Sequence, residues 1–194
     1  MRVYYYSLLY LFLTLSVTTF SQPTKEPIRP FIETSYGYVN NELMIDGYGL
    51  SSEFGIDLSN NYSFSIKCSF SELKNDKANS FPVSNLITKD LIITSQLFSF
   101  HIGYDLKTKN NRHHFSPKIG PFYGFEHIQT IHANNQNIEL SISPFESVGA
   151  ELILSYYYSF KSGLYVGLCG SVYSAYQYGF IYYYAGPIVG IRLN

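Results

Sequence analysis

The run Leu50-Ser51-Ser52-Glu53-Phe54-Gly55-Ile56-Asp57-Leu58-Ser59-Asn60-Asn61-Tyr62-Ser63-Phe64-Ser65-Ile66-Lys67-Cys68-Ser69-Phe70 carries a two-residue repeat through both of its halves. Leu50, Phe54, Ile56 and Leu58 alternate with Ser51, Glu53, Gly55 and Asp57. Beyond Ser59-Asn60-Asn61, Tyr62, Phe64, Ile66, Cys68 and Phe70 alternate with Ser63, Ser65, Lys67, Ser69 and Ser71. Successive side chains of a strand point to opposite faces, so this is strand grammar, where a helix would repeat near 3.6. The short Asn-containing link between the halves reads as the turn of an antiparallel hairpin.

The same pattern extends along the chain. Phe98, Phe100, Ile102, Tyr104 and Leu106 alternate with Ser99, His101, Gly103 and Asp105, and Phe115 to Glu126 sets Ile119, Tyr123 and Phe125 against Lys118, Gly120 and Gly124. Val148, Leu152, Leu154 and Tyr156 oppose Ser147, Glu151 and Ser155; Leu164, Val166, Leu168 and Val172 oppose Gly167, Cys169 and Ser171. Phe180 to Leu193 closes the series, with Tyr183, Val189 and Ile191 against Gly186, Gly190 and Arg192. With a first strand at Phe31 to Tyr38, eight strands are expected. Short links (Ser59–Asn61, Lys107–His114, Ser159–Ser162) alternate with longer ones, notably Glu72–Lys89 and His127–Ser143. Short turns at one end and long loops at the other describe an all-β, eight-stranded, antiparallel up-and-down transmembrane barrel, with the short turns periplasmic. Pro117, Pro121 and Pro187 interrupt strands 5 and 8, where bulges or displaced strand ends would accommodate them.

The chain has 194 residues, 20 Tyr and 15 Phe without Trp, 14% charged residues, a formal net charge of −1 and a mean hydropathy of −0.02. That length suits one domain. The charge balance leaves no basic footprint for nucleic acid. Arg2, the apolar run Leu8 to Leu15, and small residues at Thr19 and Ser21 read as a cleaved signal peptide over 1–21. Residues 22–29 form a periplasmic lead-in and 30–194 the barrel domain. No later apolar run reaches the ~20 residues of a membrane-spanning helix.

The two faces of the strands differ in chemistry. One is bulky and apolar; the other is Gly and Ser punctuated by Glu33, Glu53, Asp57, Lys67, His101, Asp105, Lys118, Glu126, Glu151 and Arg192. Small residues suit the crowded interior of an eight-stranded barrel, which is just wide enough for side chains. Isolated charges in such a lumen are costly, so these ten are expected to pair into a plug, with a proton or ion pathway as the functional alternative. Tyr165 and one face of Tyr182-Tyr183-Tyr184 are expected to fill the lumen as well. Two aromatic girdles follow: Tyr62, Tyr104, Phe115 and Tyr156 toward the short turns, and Tyr36, Tyr38, Tyr48, Phe70 and Phe125 toward the loops. A soluble lipocalin-like binding barrel would reverse the faces.

The leader ending Phe20-Ser21-Gln22, the eight dyad strands and the closing Val189-Gly190-Ile191-Arg192-Leu193-Asn194 resemble the small outer-membrane β-barrel proteins of Bacteroidota, similar to the OmpX and OmpA barrels and to PorT-like barrels. The resemblance implies the cell outer membrane as location, with outer-membrane lipid and the barrel-assembly machinery as partners. An extracellular ligand held by the long loops is a further expectation. The family commonly ends in an aromatic residue, whereas this chain ends Leu193-Asn194.

Little here points to chemistry. Cys68 and Cys169 fall on opposite faces of distant strands, which argues against a disulfide. No metal-ligand spacing is present, and no metal or cofactor is expected. Some small barrels are lipid A hydrolases built on His-x-Ser with an acid. Here the comparable segment reads His127-Ile128-Gln129-Thr130, with Gln in the nucleophile position, and Thr130, Ser141, Glu126 and His132 nearby. The expectation is a non-enzymatic barrel with an envelope-structural or surface-interaction role. A lipid A hydrolase is the alternative.

Overall fold

A computed structural model of the chain describes residues 28–41, 45–58, 61–75, 87–134, 137–176 and 181–193. The expected signal peptide and most of the lead-in lie outside these residues. Eight strands run β1 Arg29–Asn41, β2 Asp46–Asp57, β3 Tyr62–Asn75, β4 Ile87–Tyr104, β5 His113–Asn134, β6 Asn137–Ser159, β7 Leu164–Ala175 and β8 Ile181–Arg192. β4 resumes for Leu106–Lys107 beyond Asp105. Each strand pairs antiparallel with its chain neighbour, and β1 pairs with β8 from Phe31↔Arg192 to Asn41↔Tyr182, which closes the barrel. Closure leaves no open edge around the wall.

Tight turns occupy the end at which the chain enters and leaves. Asn61 (φ 68°) and Asn111 (φ 52°) take left-handed conformations there, and Gly163 does so at φ 86°. At the opposite end the strands reach further than their alternation suggested. Of the segments expected to be loops, His127–Ser143 is largely strand, and Glu72–Lys89 is strand at both of its described ends, where β3 continues to Asn75 and β4 begins at Ile87. β5 and β6 pair without interruption from His113↔Tyr158 to Asn134↔Asn137. Ile128 packs against the buried apolar cluster, and β4 pairs alongside β5 as far as Ile87↔Ala133, so the extension is a continued sheet rich in strand-forming isoleucine.

This hairpin rises past β7, whose last link to β6 is the Tyr176 N–H donating to the Val148 carbonyl at 2.8 Å. Among the described residues, Asn137–Ser147 therefore pair on one side only. The Val148 carbonyl faces β7, so the backbone of Pro144, four residues earlier, faces the same open side. Its missing N–H blunts that edge against further strand addition.

The three wall prolines need neither bulges nor displaced ends, contrary to expectation. The β4–β5 ladder skips Phe100 and His101, opposite Pro121 and Gly120, then resumes in the same register at Ile102↔Ile119. It skips again at Tyr104 and Asp105, opposite Pro117 and Ser116, and resumes at Leu106↔Phe115. Likewise the β1–β8 ladder omits Tyr36 and Gly37, opposite Pro187 and Gly186. Each proline costs its strand one donor and leaves the register intact. One register irregularity does occur, between Thr88 and Asp90.

Inward positions hold the charged and small residues together with sixteen buried apolar or aromatic side chains among the described residues. Their packing requires glycine opposite the largest rings. A Cβ at Gly190 would overlap the Tyr165 ring, which is 2% exposed. Replacing Gly190 with Val is expected to destabilise the folded barrel by about 1–3 kcal/mol through overpacking. Combining it with Tyr165→Ser should recover part of that loss in urea-unfolding midpoints.

Candidate functional site: the charged lumen

Which way the side chains point follows from strand parity. Phe54, Ile66, Phe100, Ile119, Leu152 and Leu154 are exposed on the outer surface, Phe100 by 60%. Phe64 and Ile102 are half-buried on the same face. The intervening charged residues point inward. Glu33, Glu53, Lys67, His101, Asp105, Lys118, Glu126 and Glu151 are buried, and the side chains of Asp57 and Arg192 retain 19% and 13% exposure. A lipocalin-like arrangement would place the bulky set inside; here it lies outside.

The lumen charges form a stack of bonded groups that cross the barrel. Near its middle, Lys118 Nζ on β5 lies 2.5 Å from Glu53 Oε1 on β2 and 3.9 Å from Glu33 Oε2 on β1. The Tyr165 hydroxyl of β7 donates to Glu33 Oε2 at 3.0 Å, and the Lys118 ammonium sits 5.1 Å from the Phe31 ring centroid. Glu151 on β6 gathers three neighbours. Lys67 Nζ reaches Oε1 at 2.5 Å, Ser99 Oγ donates to Oε2 at 2.9 Å, and His101 Nε2 lies 3.0 Å from Oε2.

A second cluster seals the turn end. Arg192 Nε donates to Asp57 Oδ2 at 2.5 Å, and its Nη2 reaches the Tyr157 hydroxyl at 2.5 Å and Asp105 Oδ2 at 3.4 Å. His114 stacks on Tyr157, with ring centroids 4.7 Å apart. Its Nδ1 lies 2.9 Å from Asp105 Oδ2 and its Nε2 3.1 Å from the Asn111 carbonyl oxygen.

Toward the loop end the chemistry changes. The Tyr182 hydroxyl donates to Glu126 Oε2 at 2.8 Å, and Tyr182 stacks on Tyr173 with centroids 5.0 Å apart. Val39, Ile45, Leu73, Ile93, Leu97 and Phe122 pack beside them as an apolar layer. A cavity of about 10 Å³ remains between Ser51, Lys67, Ser71, Ser171, Tyr173 and Tyr184, room for a single water at most.

All ten charged residues singled out in the sequence thus point into one lumen, and nine of them bond into three groups: Glu33–Glu53–Lys118, Lys67–His101–Glu151 and Asp57–Asp105–Arg192. Glu126 stands apart from these, on Tyr182. The sequence reading missed His114, which it placed in a turn, and the apolar layer. Leu73 shares strand parity with Lys67, and Leu97 with Ser99 and His101, so the signal for that layer was present. The nine residues assigned to aromatic girdles are all on the outer surface, from 37% exposed at Tyr104 to 61% at Tyr48.

Other candidates are kept apart. Glu126 points into the lumen whereas His127 is exposed on the outer face, so these neighbours share no site. The side chains of Thr130, His132 and Ser141 lie outside the described residues. Cys68 and Cys169 are both free thiols. No group of three or more His, Cys, Asp or Glu suited to a metal occurs among the described residues.

The fold is the closed eight-stranded antiparallel barrel found in outer-membrane proteins. The chain is similar to a major outer membrane protein from Thermus thermophilus, with a TM-score of 0.58, 11% identity, and coverage of 87% of this chain and 100% of that one. It is similar to Ail, the attachment invasion locus protein of Yersinia pestis, in complex with the heparin analogue sucrose octasulfate (TM-score 0.53, 9% identity, coverage 87% and 100%). It is also similar to Neisserial surface protein A (TM-score 0.51, 12% identity, coverage 86% and 97%). No protein-family model matches the chain. No curated protein matches it by sequence.

Lys118 is the cation shared by Glu33 and Glu53. Lys118→Met is expected to cost about 3–5 kcal/mol of folding stability, because both carboxylates lose their counter-charge in a buried site. Adding Glu53→Gln should return part of that loss. Guanidinium-unfolding midpoints of the single and double variants test both expectations.

Proposed function

We propose that this chain is a non-enzymatic outer-membrane barrel that crosses the lipid with its strands and keeps a plugged lumen, serving the envelope through its wall and its raised loop end. The observation that carries this reading is the inversion of a soluble protein's arrangement. Bulky apolar side chains cover the outside while Lys118, Lys67 and Glu151 are buried and paired within. Only a hydrocarbon surround makes such an exterior favourable.

The outward aromatic residues fall into two belts under this reading. Tyr62 and Tyr104 meet edge-to-face at the turn end, and Tyr36 stacks on Tyr48 at the loop end with centroids 5.8 Å apart. Their amphipathic rings suit the two lipid–water boundaries. An exported chain of this kind would take outer-membrane lipid and the barrel-assembly machinery as partners. The raised β5–β6 hairpin offers the surface for an extracellular ligand. A lipid A hydrolase has less support, since Glu126 and His127 lie on opposite sides of the wall.

Fractionation with the outer membrane and heat-modifiable gel migration test the location and the closed barrel together; recovery as a soluble periplasmic protein would sink the proposal. Phe100→Arg, at an outward mid-strand position, is expected to cost about 2–4 kcal/mol in lipid vesicles. In a soluble barrel the same exposed substitution would change stability by less than about 0.5 kcal/mol. Planar-bilayer recordings of the wild-type protein should show no stepwise ion conductance through the filled lumen.

A further inference from the structure

Among the described residues, the two ends of the barrel carry opposite exposed charge. At the turn end the exposed ionic side chains among the described residues are Arg29, Lys107, Lys109, Arg112 and Lys161, all of them cations. The acids at that level, Asp57 and Asp105, are turned inward onto Arg192. At the loop end Asp46, Glu72 and Glu146 are exposed among the described residues, and Lys74 is bridged to Glu72 at 2.8 Å.

Three of the turn-end cations gather on one sector of the wall. The Ser159 N–H donates to the Arg112 carbonyl at 2.7 Å, which binds the turn carrying Lys109 and Arg112 to the one carrying Lys161. The first of these turns is internally braced. Thr108 Oγ1 bonds Asn110 Oδ1 at 2.6 Å, the Arg112 N–H donates to Asn110 Oδ1 at 3.2 Å, and the His113 N–H donates to Thr108 Oγ1 at 3.2 Å. Arg112 Nη1 donates to the Tyr158 hydroxyl at 3.3 Å, a neutral partner that leaves its charge uncompensated. Lys109 and Lys161 have no acidic partner within ion-pair distance among the described residues. Immediately toward the barrel middle, Leu106, Phe115, Tyr156 and Phe160 are exposed on the outer face. A band of apolar surface capped by a rigid group of unneutralised cations has the layout of a lipid: acyl chains against the first, phosphate against the second.

We propose that Lys109, Arg112 and Lys161 bind the headgroup phosphate of an anionic phospholipid in the leaflet that the turn end faces. The proposal rests on the membrane-spanning reading and adds a lipid class and a leaflet to it.

The full-length barrel, inserted into vesicles of equimolar phosphatidylethanolamine and phosphatidylglycerol, is to be released intact for native mass spectrometry of the lipid it retains. Wild-type protein is expected to retain phosphatidylglycerol in excess. Each of Lys109→Gln, Arg112→Gln and Lys161→Gln should reduce that excess by about fivefold, given roughly 1 kcal/mol per cation at an anionic surface. Lys74→Gln, at the opposite rim, should leave it unchanged. Inorganic phosphate should compete no better than chloride at equal ionic strength; selective displacement by phosphate would mean a free-anion site and overturn the lipid assignment. Equal retention of the two lipids, or single Gln variants that keep the wild-type excess, would overturn the site while leaving the membrane reading intact. Failure of wild-type protein to insert into vesicles of phosphatidylethanolamine and phosphatidylcholine, seen as loss of heat-modifiable migration, would overturn both.

Discussion

An eight-stranded barrel encloses a space only as wide as the side chains that fill it, and every inward residue must share that space. Among the described residues, six carboxylates point into this one, against three permanent cations. Such an interior is tolerable only because its cations are shared among partners. Lys118 lies between Glu53 and Glu33, and Arg192 reaches Asp57, Asp105 and the Tyr157 hydroxyl. His101 and His114 add hydrogen bonds to Glu151 and Asp105. The many glycines and serines belong to the same solution. Gly190 yields its side-chain volume to Tyr165, and Ser99 supplies a donor to Glu151.

These bonds also act as cross-braces. Lys67 to Glu151 joins β3 to β6, Lys118 to Glu53 joins β5 to β2, and Arg192 to Asp57 joins β8 to β2. The partners sit on strands that are not neighbours in the wall, so the lumen contents hold the cross-section in shape. The two ends are closed by different means. Paired charges and a stacked His–Tyr pair close the turn end, whereas tyrosines and aliphatic side chains fill the loop end. The cavity beside Lys67 and Tyr184 has room for one water at most.

Much of this was legible from residue order, for a simple reason. Strand parity assigns each residue to a face, and Glu53, Lys67, His101, Lys118, Glu151 and Arg192 all fall on the small-residue face. The same rule placed Tyr165, Tyr182 and Tyr184 inside and Tyr183 outside, where they are found. It failed where two physical factors compete. Proline suggested disrupted strands at Pro117, Pro121 and Pro187, yet a missing donor was absorbed as a local gap in each ladder. Polar residues between Glu126 and Ser143 suggested a loop, but the aliphatic residues interspersed among them carry the hairpin past the barrel.

By itself the sequence determined the strand count and the face on which each charge lies, because both depend on a period of two. Only the tertiary structure decided which charges meet. Lys67 and Glu151 are 84 residues apart, and Arg192 and Asp57 135 apart, and no local pattern links such pairs. Their meeting depends on the register of eight strands and on the β1–β8 closure, which bring distant positions to the same height across a narrow lumen. The segregation of exposed charge between the two ends has the same origin. Lys109, Arg112 and Lys161 are scattered along the chain until the up-and-down path returns every second connection to one rim.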